Sequence, residues 1–286
     1  MSNAAYSLIE PVQRLSCAVF ASPHSGRNYP QAFLQQTLLD ERVIRSSEDA
    51  FVDHLFASAP EFGAPFLTAG VPRAYVDLNR SPDELDPALI EGVRRQGHNP
   101  RVASGLGVIP RVVSNGRAIY RGKLQMAEVE KRLEIYWRPY HAALQALLSK
   151  AHAQFGQAIL VDCHSMPHEA VDGVARTAAQ RPEIVLGDRF GAAASSEVVD
   201  LIESAFASAG LIVTRNAPFA GAYITQAYGR PSRGQHAVQI EIDRAIYMDE
   251  KRVRPNQNFE AFQTLLRGVI SEIAQIGQEQ IPLAAE

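Results

Sequence analysis

The stretch "AILVDCHSMP", residues 158–167, decides how this chain is read. Ala158 to Val161 run apolar, and the run then stops on Asp162, Cys163 and His164. A short unbroken apolar run bounded by polar residues is the pattern of a strand buried on both faces. "AVFASPHSGRNYP", residues 18–30, does the same and stops on His24. In both cases serine follows the histidine and a proline lies close by. Two buried strands that give way to imidazoles imply a sheet whose strand ends carry chemistry.

Working outward, apolar strands alternate with helical patterns. "CAVFA" (17–21), "PFLTA", "RAYVDLN" (73–79), "QAILVDC" (157–163), "LIVTRN" and "HAVQIEIDR" (236–244) read as strands. "QAFLQQTLLD" (31–40), "DAFVDHLFASA" (49–59), 121–155, 195–210 and 256–276 show helical spacing. Pro139 should bend the long helix, because its ring clashes with the preceding turn. The helix over 195–210 should close on Gly210. The alternation predicts an α/β fold with a mixed, largely parallel central sheet covered by helices on both faces. In such sheets ligands gather at the carboxyl ends of strands. The Pro-, Gly- and charge-rich stretch 81–118 reads as an active-site excursion within a single domain over 1–286.

Composition narrows the function. The chain has 286 residues, 46% hydrophobic and 21% charged, with a net charge of −3. That is ordinary for a soluble globular protein, and it offers no basic field for nucleic acid or an anionic membrane. No apolar run approaches the roughly 18 residues of a membrane span. "MSNAAYSLIEPVQ" lacks a basic segment followed by an apolar one, so no signal peptide is expected and a cytoplasmic location is. Cys17 and Cys163 lie in apolar runs and are expected to be buried free thiols. Nothing in the sequence specifies an oligomeric state.

The polar residues supply candidates. His54, His141 and His152 sit in helical patterns and are expected at surface or half-buried positions; His98 falls in the long loop and is expected to be solvated. His24 and His164 differ, because both follow buried strands, and imidazole is the commonest nitrogen ligand for zinc. A third ligand could come from Glu48 or Asp49, which could equally cap a helix. Asp53, one turn on, could orient a ligand. In "YVDLNRSPDEL" (75–85), Asn79 and Arg80 follow Asp77, and an arginine fork there either holds a substrate carboxylate or pairs with Asp77 or Asp83. In "HAVQIEIDRAIYMDE" (236–250), Gln239, Glu241 and Asp243 share one strand face. Glu241 between isoleucines suits a general base for a metal-activated water, or a salt bridge to Arg244. There is no GxSxG elbow, P-loop or GxGxxG after a strand. Adjacent Cys163 and His164 point to opposite faces, which argues against a Cys–His pair.

"SPHSGRNYP", "DAFVDHLF", "AYVDLNR", "RLEIYWRPYHAALQALL", "LVDCHSMP", "FAGAYITQAYGRP" and "HAVQIEIDRAIYMDE" occur in this order. From about residue 15 to residue 270 the chain therefore resembles the N-formylglutamate amidohydrolases, or N-formylglutamate deformylases, relatives of zinc carboxypeptidases and aspartoacylases. The resemblance implies a zinc-exopeptidase-like fold and zinc-dependent hydrolysis of a small anionic N-acyl amino acid, giving formate and glutamate in histidine degradation. It implies His24 and His164 as zinc ligands, Glu241 as the catalytic glutamate, and Asn79 and Arg80 as the carboxylate clamp. It also implies Tyr223 and Arg230 as substrate-side residues, with Arg230 or Arg121 reading the side-chain carboxylate. One departure stands out: related carboxypeptidases place an acid three residues after the first histidine, and here that residue is Arg27. The acidic ligand must come from elsewhere, and Asp49 is preferred to Glu48 because it opens the pattern DxxVDxL. Competing readings are a zinc amidohydrolase or carboxypeptidase for another N-acyl amino acid or a cell-wall peptide, and a non-catalytic binding module.

Overall fold

The computed structural model describes residues 4–94, 99–174 and 181–278. Seven strands form one sheet: β1 (Tyr6–Ile9), β2 (Ala18–Ser22), β3 (Phe66–Ala69), β4 (Ala158–Met166), β5 (Ile184–Gly187), β6 (Val213–Arg215) and β7 (Gln235–Asp243). Their order is β1-β3-β2-β4-β7-β5-β6. β2 pairs with β4 and β4 with β7 in parallel, β5 runs antiparallel to β7, and β6 is parallel to β5. The sheet is thus mixed and largely parallel, as the alternating pattern predicts.

The described residues cluster into two compact units woven from alternating stretches of chain. One comprises Leu8–Ser22, Phe51–Leu67 and Leu144–Glu286. Its centre is β4, whose nine residues are all buried between β2 and β7. Val19, Phe20, Leu160, Val161, Val238 and Ile240 build the apolar core around it. The helices Ser196–Ser208 and Phe259–Gln275 bury Val199, Ile202 and Phe206, and Leu266, Ile270 and Ile273. The chain leaves the first of these through Gly210 at φ +85°, as a glycine closing a helix should.

The other unit comprises Met1–Ser7, Pro23–Ala50 and Thr68–Ala143. The described residues of the stretch 81–118 fall in this unit and bury Leu89, Ile90, Val108, Ile109 and Val113. Arg132 is buried against Tyr75, its guanidinium carbon 4.1 Å from the ring centroid, and donates to Tyr120 Oη at 2.7 Å.

Several expectations need correction. "RAYVDLN" forms no strand: Tyr75 and Val76 N–H groups donate to Pro72 O in a turn, and Asp77 accepts the N–H of Asn79 at 2.9 Å. Local side-chain bonds of this kind compete with a ladder. The helix expected over 49–59 is one turn, Val52–Leu55, opened by Phe51 at φ +67° and followed by the 3-10 turn Ala59–Phe62. The interruption in the long helix falls before Pro139, which lies in the first turn of its last piece. The helix runs as Met126–Arg132, a π turn Leu133–Trp137, then Arg138–Phe155, so the ladder is already rearranged before the proline. His141, expected at a surface or half-buried position, is buried, donating its Nε2–H to Leu78 O at 2.9 Å and lying 3.9 Å from Trp137 between ring centroids. β4 extends past Cys163 to Met166 because its pairing with β7 continues that far, so His164 lies within the strand. β1 and β5, four residues each, gave no period-two pattern strong enough to be read.

Both cysteines are buried free thiols. Burial pushes Cys17 up to about 11 and Cys163 well above its ordinary value, so neither is a ready thiolate. No helix among the described residues is long and apolar enough to cross a membrane.

Candidate metal centre

β4 and β7 carry the first half of the site. In their parallel register Asp162 pairs with Gln239, His164 with Glu241 and Met166 with Asp243. Side chains two apart share a strand face, so these residues form three rungs on one face. Within each strand the polar groups bind each other. Asp162 Oδ2 lies 3.0 Å from His164 Nε2, and Gln239 Nε2 donates to Glu241 Oε1 at 2.8 Å. Asp162 is wholly buried and Glu241 is 9% exposed. Polar groups at the centre of an apolar sheet are costly unless paired, and a charged row there marks a working surface more than a structural one.

His24 follows β2 by two residues, and β2 is the strand on the other side of β4. The turn after it depends on Gly26, where a Cβ would lie 2.1 Å from Val71 O. His24 Nε2 lies 2.7 Å from Asp77 Oδ1, and Nδ1 is 3.4 Å from Asp49 Oδ2. The Asp49 N–H donates to His24 O at 3.1 Å, tying the two segments together. Two residues on, Phe51 holds a left-handed backbone, uncommon for a bulky residue and frequent near functional sites.

Glu48 is engaged differently from its neighbour. Its carboxylate accepts from Tyr29 Oη at 2.6 Å and from Arg45 Nε and Nη2 at 3.0 Å each. Burial, then Glu48, push the Tyr29 phenol far up, which keeps it a donor. Of the two acids, Asp49 is the one that turns to the histidine.

Asp77, weighed from sequence only as a partner for arginine, is the residue that orients His24. Burial by itself would raise its carboxyl, but Arg73, His24 and Arg80 outweigh it and hold it well below the usual carboxylate range. Arg73 Nε donates to its Oδ2 at 3.0 Å. Asp162 does the same for His164. Asp162 could have been found, since it precedes its histidine at period two; the part of Asp77 could not, because its partner lies 53 residues away. Carboxylates behind imidazoles fix ring orientation and raise ligand basicity.

Asn79 and Arg80 are both buried. Arg80 Nε donates to Leu106 O at 3.0 Å and Nη1 to Asn79 O at 2.7 Å, so two backbone carbonyls aim the guanidinium. Burial pushes its value below the ordinary one, with Asp77 opposing. Tyr223 opens the helix Tyr223–Tyr228 and is half-buried. Arg230 is exposed, and its Nη1 donates to Gln226 O and Gly229 O, closing that helix. It bridges to Gln235, at the amino end of β7, six residues before Glu241. That is about 20 Å of strand. Arg121 is exposed. Asp53 is half-buried and lies 3.7 Å from His54 Nε2. His98 falls outside the described residues.

His24, Asp49 and His164 each offer one ligand atom, and these atoms lie within 4.8 Å of one another. Two imidazoles and one carboxylate, each imidazole backed by an acid, fit a divalent cation.

The model of the family described as N-formylglutamate amidohydrolase matches residues 16–248. An N-formylglutamate deformylase of Pseudomonas aeruginosa is 32% identical over 240 residues, 82% of this chain and 82% of that protein. One of Pseudomonas putida is 31% identical over 239 residues, covering 81% and 82%. A crystal structure of an N-formylglutamate amidohydrolase from Ralstonia eutropha JMP134 superposes with a TM-score of 0.89 at 34% identity, covering 96% of this chain and 99% of that one.

Proposed function

The chain belongs to the N-formylglutamate amidohydrolase family, and on that ground we propose that it cleaves the N-formyl amide of N-formyl-L-glutamate to formate and glutamate, using one zinc ion. The grouping of His24, Asp49 and His164, with Glu241 in register beside His164, is the observation that supports this most. His24, Asp49 and His164 would hold the metal. Nitrogen and carboxylate donors suit zinc, and a set of three leaves a position open. When bound, the ion polarises the scissile carbonyl and acidifies water, making attack feasible near neutral pH.

The chain's own residues do the rest. Asp77 and Asp162 keep the two rings oriented. Glu241 takes the proton of the attacking water and delivers it to the leaving nitrogen, so formate and the free amine separate. Gln239 donates to Glu241 Oε1 and restrains the carboxylate for both transfers. Arg80 and Asn79 fix the substrate's α-carboxylate, for which a buried, pre-aimed guanidinium is suited. Tyr223 contributes on the substrate side, and Arg230 serves it by closing the helix that Tyr223 opens. A cytoplasmic place at the end of histidine degradation belongs to the same proposal.

Formate release tests it, comparing N-formyl-L-glutamate with N-acetyl- and N-succinyl-amino acids, alongside metal analysis of the same preparation. Preferential release from N-formyl-L-glutamate by protein carrying about one zinc per chain is expected. Faster cleavage of another acyl group would reassign the substrate, and metal-free protein without turnover would point to a binding module.

A further inference from the structure

Past the metal centre, the same strand face carries one more polar pair. His168 Nδ1 lies 2.7 Å from Asp243 Oδ2. Asp243 is buried and stands two residues beyond Glu241 on β7, on the same face, about 7 Å along the strand. The imidazole is therefore held one rung beyond the catalytic glutamate, toward the carboxyl end of β4 and β7. Its side chain is 49% exposed while its partner's is 4% exposed. The backbone of His168 is pinned as well: its N–H donates to Glu250 Oε1 at 3.0 Å, and its carbonyl accepts from Arg181 Nη2. An exposed ring held by a buried carboxylate, on a backbone pinned at both its N–H and its carbonyl, is placed for use. Asp243 caps the turn that follows β7 with one carboxylate oxygen, accepting from the Ala245 N–H at 2.9 Å, and holds the His168 ring with the other.

We infer that His168, aimed by Asp243, is the residue that recognises the second carboxylate of the substrate. This rests on the N-formylglutamate reading above, which gives a substrate with one carboxylate for Arg80 and another at the end of a short aliphatic chain. Asp243 takes the Nδ1 side of the ring and leaves Nε2 as its outward nitrogen, while Glu250 holds the backbone N–H. In its protonated form the ring donates to Asp243 from Nδ1 and presents Nε2–H outward to a carboxylate acceptor. Arg230 is a poorer candidate, because it sits at the opposite end of β7 and donates to helix-end carbonyls.

The test is a specificity ratio. kcat/KM is measured for N-formyl-L-glutamate and for N-formyl-L-glutamine, which has the same length without the charge, in wild type, His168→Ala and His168→Gln. A hydrogen bond to a charged group contributes about 1.5–3 kcal/mol, so the preference for glutamate should fall by about tenfold or more in both variants, mainly through KM. The glutamine analogue should lose far less. His168→Gln keeps a donor for Asp243 but no cation, so it serves if His168→Ala proves unstable. An unchanged preference, or equal losses on both substrates, overturns the assignment. If wild type fails on N-formyl-L-glutamate but cleaves another acyl compound, the parent reading has failed instead.

Discussion

His164 and Glu241 stand beside each other as a registered pair on the parallel strands β4 and β7. One belongs to the candidate metal set, and the other bears a carboxylate held by Gln239 at 2.8 Å. Backbone pairing, not a flexible loop, sets their separation.

Replacing Glu241 by Gln keeps the size of the side chain and removes its basicity. Turnover should fall by about a hundredfold to ten-thousandfold, the usual worth of a general base, while bound zinc is retained. Steady-state kinetics with metal analysis checks both. Unimpaired kcat in this variant would remove Glu241 from proton transfer.

His164→Ala removes one member of the candidate metal set and should lower metal content and rate together. Full zinc occupancy in that variant would exclude His164 from the metal set.

Asp162→Asn acts one step further out. It keeps the shape beside His164 Nε2 but loses the charge. Metal affinity or activity should drop by about 10- to 100-fold, the range for carboxylates behind ligating histidines. Competition with a chelator reads the affinity, and an unaltered constant would make Asp162 a bystander.

Arg80→Lys keeps a positive charge but loses the planar fork that the carbonyls of Leu106 and Asn79 aim. KM should rise by about tenfold or more, and kcat should change less. An unchanged KM would show that the α-carboxylate is held elsewhere.

His141 makes stability depend on pH. Burial lowers it from 6.5 to about 4, against the opposing bond to Leu78 O. The unfolded chain therefore binds a proton over that interval and the folded chain does not. Stability is full above pH 6.5 and falls as the pH drops toward 4, by about 3 kcal/mol at most from this one group. Urea unfolding at pH 7 and pH 5 measures it. His141→Gln should flatten this part of the profile, and an identical slope in the variant would assign it to other groups.

Much of the site was legible because period and position speak locally. The apolar run before His164 announced a buried strand, the alternation Gln239, Glu241, Asp243 announced a shared face, and the ordered motifs pointed to one family. What stayed hidden depended on partners distant in sequence. Asp77 lies 53 residues from His24, so its part in aiming the ring is set by folding. His168 and Asp243 are 75 residues apart, and neither segment alone discloses the pair.

The sequence by itself determined the alternation of strands and helices and the residues that interrupt the apolar runs. Only the tertiary structure chose between neighbouring acids, since Glu48 is engaged by Tyr29 and Arg45 while Asp49 turns to His24. The physical reason is that residue type and spacing fix which face a side chain can take. Which partner it meets there depends on register and burial, and these exist only once the strands have paired.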